Sequence, residues 1–140
     1  MADRKLACEV VTPDRVVFDG EVDMVVAPGA DGEVGILPLH TPYLTMLKVG
    51  ELRVRFEKEG RVVEDYIAVH GGFLEVFEDR VTVLAPAAEL AREIDIERAK
   101  EAQERAKTLL DKKEGVDYAR ADASLVRSRT RIKTSGRSQR

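Results

Sequence analysis

From Leu6 to Ala85 no run of this chain stays apolar for long, because turn residues cut its β-branched stretches at short intervals; after Pro86 that pattern stops. Closely spaced short strands exclude a parallel βαβ architecture and point to an antiparallel sandwich or barrel. Residues 6–11 end at Thr12-Pro13-Asp14, residues 15–18 at Asp19-Gly20, and residues 22–27 at Pro28-Gly29. Leu52, Val54 and Phe56 alternate with Arg53 and Arg55, so the apolar side chains share one face of a pleated strand. Lys58-Glu59-Gly60 turns the chain back through Val62, Val63, Tyr66, Ile67 and Ala68 to Gly71-Gly72. Two last strands, 73–77 and 81–85, flank Glu78-Asp79-Arg80.

After Pro86, Ala, Glu, Arg and Lys dominate and no proline recurs. Asp95 suits the N-cap of a first helix, with Ile94 and Ala99 placed as a hydrophobic staple. Its apolar side is thin: Ile96, Ala99, Ala102, Ala106, Leu109 and Leu110. Gly115 ends the run, and Asp117 caps a second helix carrying Tyr118, Ala121, Leu125 and Ile132 on one side, with Ala119, Ala123 and Val126 beside them. The expected fold is α+β: an N-terminal antiparallel β-sandwich (residues 1–86), then a C-terminal antiparallel two-helix hairpin with a basic tail (87–140). An alanine seam buries little apolar area, so the hairpin's docking is conditional on a ligand or partner.

Charge divides the chain at the same place. Residues 1–88 hold 9 basic against 16 acidic side chains and residues 89–140 hold 14 against 10, a step from −7 to +4 within a net of −3. That net gives no general pull toward nucleic acid. From Ala123 onward Arg127, Arg129, Arg131, Lys133, Arg137 and Arg140 stand without an acidic residue, a segment that either frays in solvent or meets an acidic partner. Cys8, the single cysteine, is expected as a buried thiol in a reducing compartment. Asp3, Arg4 and Lys5 precede only a short apolar run, unlike a signal peptide, and the longest uncharged run, 34–47, is interrupted by Pro38 and Pro42. A soluble, cytoplasmic chain is expected.

Catalytic motifs are lacking, and neither His40 nor His70 sits in a cluster of metal-ligand spacing. Gly32 to Tyr43, with two prolines and large apolar residues, reads either as a rigid crossover or as a docking patch containing Glu33 and His40. Arg98 and Arg105 are seven apart, Arg127 and Arg131 four apart. Folded antiparallel, the helices either converge these guanidiniums around an anion or pair them with Glu97, Glu101, Glu104 and Asp122.

Three runs in order, GEVGILPLHTPYLTMLKVGELRV, HGGFLEV and AELAREIDIERAKEAQERA, resemble the epsilon subunit of the bacterial F-type ATP synthase over nearly the whole chain. The resemblance implies a non-catalytic central-stalk subunit whose sandwich binds the gamma subunit and the membrane rotor ring of c subunits. It would thereby couple ion flow to ATP synthesis, with Glu33 and His40 at the ring. It also implies helices that fold down on the sandwich or extend toward the alpha/beta head and block ATP hydrolysis. Ile94, Asp95, Arg98 and Ala99 match the I/L-D-x-x-R-A motif of the family's ATP-binding members, with Glu89 and Arg105 at the family's intervals. Arg127 and Arg131 match with an inter-helix turn one residue shorter. ATP would then be a regulatory ligand, with no cofactor or metal required. The chain would lie peripherally at the cytoplasmic side of the cell membrane, held there only through the complex. A free-standing nucleotide-binding regulatory module is the alternative.

Overall fold

The computed structural model describes residues 4–139; Asp3 and Arg140, two of the charges weighed above, lie outside the described residues. Two long strands, β5 (Tyr43–Lys58) and β6 (Arg61–Phe77), pair along their length, from Tyr43 opposite Val76 to Lys58 opposite Arg61. Around them stand β1 (Leu6–Val11), β2 (Val16–Val22), β3 (Met24–Gly29), β4 (Gly32–Ile36), β7 (Arg80–Leu84) and β8 (Ala88–Leu90). The order is β2-β1-β7-β6-β5-β3-β4, with β8 on β6. All pairs are antiparallel except β1 with β7, which makes the sheet mixed at one place.

Four turn signals are overridden by the ladder. Asp19-Gly20 lies inside β2, opposite Glu9 and Cys8, and the chain breaks instead at Asp23, whose carboxylate takes Lys5. Gly32 to Ile36 is not loop but β4, paired to β3 from Gly29 opposite Gly32 to Val25 opposite Ile36. Gly71-Gly72 does not end a strand: β6 continues through both at φ 84° and 106°, pairing β8 before them and β7 after. Nor does Pro86 close the strand region, since β8 follows it and sets Leu90 opposite Ile67. Pairing energy along a neighbouring strand outweighs a local turn preference of about 1 kcal/mol.

Inward residues of the strands close the core: Leu6, Val10, Val22, Val25, Ile36, Leu52, Val54, Ile67 and Leu74 are fully buried, and Ala88 and Leu90 complete it. Cys8 joins them as expected, its thiol pushed up to about 12 by burial and then by Asp19 and Glu9.

No hairpin residue belongs to that core. α1 (Ile96–Leu110) begins at Asp95, whose carboxylate accepts from the Arg98 amide at 3.0 Å; α2 (Tyr118–Ser135) begins at Asp117 in the same way, from Arg120 at 3.1 Å. Their seam buries Ala99 and Ala106 against Ala121, Leu125 and Ser128, while Leu109, Tyr118 and Val126 stay largely exposed. It is thinner than the sequence predicts, because Tyr118, Val126 and Leu109 face outward and only Leu125 among the larger apolar side chains is buried in it.

Candidate functional site

Between the sandwich edge and the hairpin lies a cleft of about 380 Å³ lined by Glu89, Glu93, Asp95, Arg98, Ala99, Ala102, Arg105 and Arg131. Each part arrives by a different route. β8 carries Glu89; the 3-10 turn Ala91–Glu93 presents Glu93; the capped start of α1 fixes Asp95, Arg98 and Ala99; and α2 returns Arg131 beside them. Alanines at 99 and 102 leave the room.

Three arginines face three carboxylates here, but the carboxylates are already engaged. Glu93 is held by Arg15, from the β1–β2 connection, through contacts of 2.5 and 3.2 Å, and that pairing keeps its carboxyl below the usual range. Asp95 accepts from the backbone of its own helix. Glu89 takes Arg131 Nε at 2.6 Å, and the same oxygen stands 3.7 Å from His70 Nε2. Arg98 has no ion-pair partner among the described residues, and Arg105 reaches only Glu101, at 3.9 Å on an exposed face. Arg98, without an ion pair among the described residues, and Arg105, held only by a long exposed one, line a small-residue cleft and can take an anion with bidentate geometry.

Of the eight residues assigned to nucleotide binding from the sequence, six meet in this cleft: Glu89, Asp95, Arg98, Ala99, Arg105 and Arg131. Ile94 lies just outside, half-buried at the end of the 3-10 turn, and Arg127 stands one turn before Arg131 without lining the cleft. Convergence is thus of three arginines, not four. Glu93 and Ala102 are additional lining residues. Ala102 carries a signal, small and three residues after Ala99; Glu93 carries none, because its partner Arg15 is 78 positions away.

Glu89 links sandwich and hairpin. The His70 imidazole first, and Arg131 second, hold its carboxyl near about 2 rather than 4.5. At 3.7 Å the histidine contact is longer than a hydrogen bond, and neither ring nitrogen of His70 has a hydrogen-bond partner among the described residues. Because the folded value lies below the unfolded one, the stabilisation is present above pH 4.5 and lost as pH falls toward about 2. Discounted for solvent screening and for the long histidine contact, which leaves Arg131 as the close partner, the shift corresponds to roughly 1 kcal/mol. Melting curves of the wild type and Glu89→Gln are therefore expected to differ at pH 6 and to approach one another by pH 3.

The other predicted contact surface lies elsewhere on the sandwich. Glu33 is exposed on β4; His40 lies in the following loop, its Nδ1 2.7 Å from the Thr41 carbonyl and its ring 5.8 Å from that of Tyr43. Leu39, at φ 68°, donates its N–H to Asp79 at 2.6 Å, so the β6–β7 turn pins a loop that exposes Leu37 and Leu39. That bond, and Arg4 after it, keep the Asp79 carboxyl below its usual range. Among the described residues no group of three His, Cys, Asp or Glu side chains is placed to hold a metal ion, and no helix is long and apolar enough to cross a membrane.

Residues 5–91 match the family model of the ATP synthase Delta/Epsilon chain beta-sandwich domain, and residues 92–136 match its long alpha-helix domain. The chain belongs to the ATP synthase epsilon-chain family. The ATP synthase epsilon chain of Syntrophobacter fumaroxidans is 49% identical over 132 residues, covering 94% of this chain and 96% of that protein. That of Halalkalibacterium halodurans is 48% identical over 134 residues, covering 94% and 98%. The fold also resembles a chain of the Euglena gracilis mitochondrial ATP synthase, solved as OSCP, F1 and c-ring, with a TM-score of 0.77, 20% identity and coverage of 97% of this chain and 82% of that one. A second likeness is to the Tetrahymena thermophila mitochondrial central stalk and c-ring, with a TM-score of 0.59, 14% identity and 98% coverage of both. This epsilon-family chain is therefore a subunit of an F-type ATP synthase, and its two family domains meet at residues 91 and 92, just after β8.

Proposed function

We propose that this epsilon chain is a non-catalytic coupling and regulatory subunit of the rotor, binding ATP in the arginine cleft while its hairpin is folded down. The observation that carries the nucleotide reading is the imbalance inside the cleft: Glu89, Glu93 and Asp95 are committed to Arg131, Arg15 and the α1 backbone, so Arg98 and Arg105 remain to face phosphate oxygens. In this reading ATP acts as a regulatory ligand rather than a substrate.

Nucleotide then shifts a marginal element. A hairpin with a small-residue seam and no share in the core is held by few contacts, and each tenfold preference of ATP for the docked form shifts its balance by about 1.4 kcal/mol. Without nucleotide the helices extend along gamma, and the basic second helix meets the acidic alpha/beta head and blocks ATP hydrolysis.

Two exposed surfaces of the sandwich support the rotor contacts. Met46, Phe73 and Leu84 are register neighbours across β5, β6 and β7, and they stand 60%, 50% and 55% exposed, an apolar row suited to gamma. The pinned loop with Leu37, Leu39 and His40, next to Glu33, suits the loops of the c ring on the cytoplasmic side of the membrane. Membrane association then comes only through the complex, and nucleic acid has no part.

Calorimetry on the isolated subunit tests the nucleotide site. ATP is expected to bind the wild type, and Arg98→Ala to weaken it about tenfold or more while leaving the sandwich's melting temperature unchanged. Equal isotherms for the two proteins would return Arg98 to the role of a surface charge. Co-purification of gamma separates the rotor subunit from a free-standing nucleotide-binding module.

A further inference from the structure

Away from the cleft, a second set of contacts joins hairpin and sandwich. Glu51 lies on β5 with its side chain only 11% exposed, and the partners it has among the described side chains come from the far end of the hairpin. The buried Thr134 hydroxyl donates to Oε2 at 3.1 Å, and Arg137 stands 3.3 Å from Oε1. The same Arg137 guanidinium lies 4.9 Å from the ring centroid of Tyr66 on β6. Tyr66 turns its hydroxyl to Glu64 at 2.7 Å, which leaves the ring face to the arginine.

Arg137 is therefore no frayed cation. The 3-10 turn Gly136–Gln139 continues α2 and folds the arginine back over two strands. Its charge is shared between a shielded carboxylate and an aromatic face, where both attractions exceed those of an exposed pair. Since the hairpin adds nothing to the apolar core, polar contacts of this kind must set how firmly it docks when the cleft is empty.

We propose that Glu51, Tyr66, Thr134 and Arg137 form a nucleotide-independent latch that holds the C-terminal end of the hairpin against the sandwich. The latch rests on the reading that the hairpin has a second, extended position. It gives the docked form a resting stability, and a partner must overcome that stability before the helices extend. Because the latch and the cleft grip different parts of α2, each can be removed while the other remains.

Hydrogen exchange on the full chain without nucleotide tests it. Arg137→Met and Glu51→Gln are each expected to speed exchange of the α2 amides about tenfold, and the double variant little more than either alone, since both remove one unit. Tyr66→Phe keeps the ring and is expected to leave α2 unchanged. Amides of β1 and β6 report that the sandwich is intact; if Glu51→Gln disturbs them, Arg137→Met alone decides. Wild-type exchange of α2 in both Arg137→Met and Glu51→Gln would overturn the latch. An arm with ATP separates the two sites: loss of the ATP effect with a surviving Arg137 effect sinks the nucleotide reading and leaves the latch, and the reverse sinks the latch.

Discussion

Gly72→Ala is expected to leave the chain largely unfolded. Gly72 sits in β6 at φ 106°, where an L side chain is strained whatever the space. Space is lacking too: a Cβ built there would stand 2.0 Å from the Leu84 carbonyl oxygen and 2.8 Å from the Ala85 Cα. Both obstacles are backbone, so no side-chain rotation relieves them. Relief requires β7 to separate from β6 at Phe73 opposite Leu84, and β7 also carries the parallel pairing to β1. Backbone strain of about 1–3 kcal/mol, together with a broken strand junction, approaches the total stability of a domain this size. Gly71, also at positive φ, has its nearest contact at 3.8 Å, so Gly71→Ala carries the strain without the collision and is expected to be milder. Cys8 supplies the measurement. Buried and raised to about 12, its thiol is expected to resist a thiol reagent in the wild type and to react rapidly in Gly72→Ala. Slow labelling of both would show that the junction yields cheaply.

The second large effect is expected from where the chain is cut. A protein ending at Pro86 loses β8 and with it the buried Ala88 and Leu90, and it uncovers Ile67 and Val69. Removing one buried leucine and a short strand costs about 3–5 kcal/mol. A protein ending at Ile94 keeps β8 and discards only the hairpin, none of whose residues belongs to the core. Melting is therefore expected to be cooperative and close to that of the full chain for the longer fragment, and greatly lowered for the shorter one. Within the ATP synthase, the proposed function adds that the fragment ending at Ile94 assembles with gamma and raises ATP hydrolysis. Failure of that fragment to assemble would show that the hairpin belongs to the rotor contact. Similar melting of the two fragments would show that β8 is dispensable.

Much of this protein is legible in its sequence. Alternation at Leu52 to Phe56 and the change of composition after Pro86 are local signals, and they point to an antiparallel sandwich or barrel followed by two helices. Both helix starts were readable for the same reason: Asp95 and Asp117 act on amides three residues away. The motif from Ile94 to Ala99, noticed through the family resemblance, marks the helix start whose Asp95, Arg98 and Ala99 line the cleft.

What depends on distant pairing was not legible. Asp19-Gly20 and Gly71-Gly72 look like turns, yet strands far away in sequence hold each of them extended. Glu93 entered the cleft through Arg15, and Arg137 left solvent for Glu51 and Tyr66, contacts that span 78, 86 and 71 positions. The sequence alone determined the kinds of element and the chemistry of their surfaces, since propensity, capping and periodicity act within a few residues. Tertiary structure alone decided which charges are neutralised and which stay open, since a Coulomb partner is chosen by distance in space and by shielding from water.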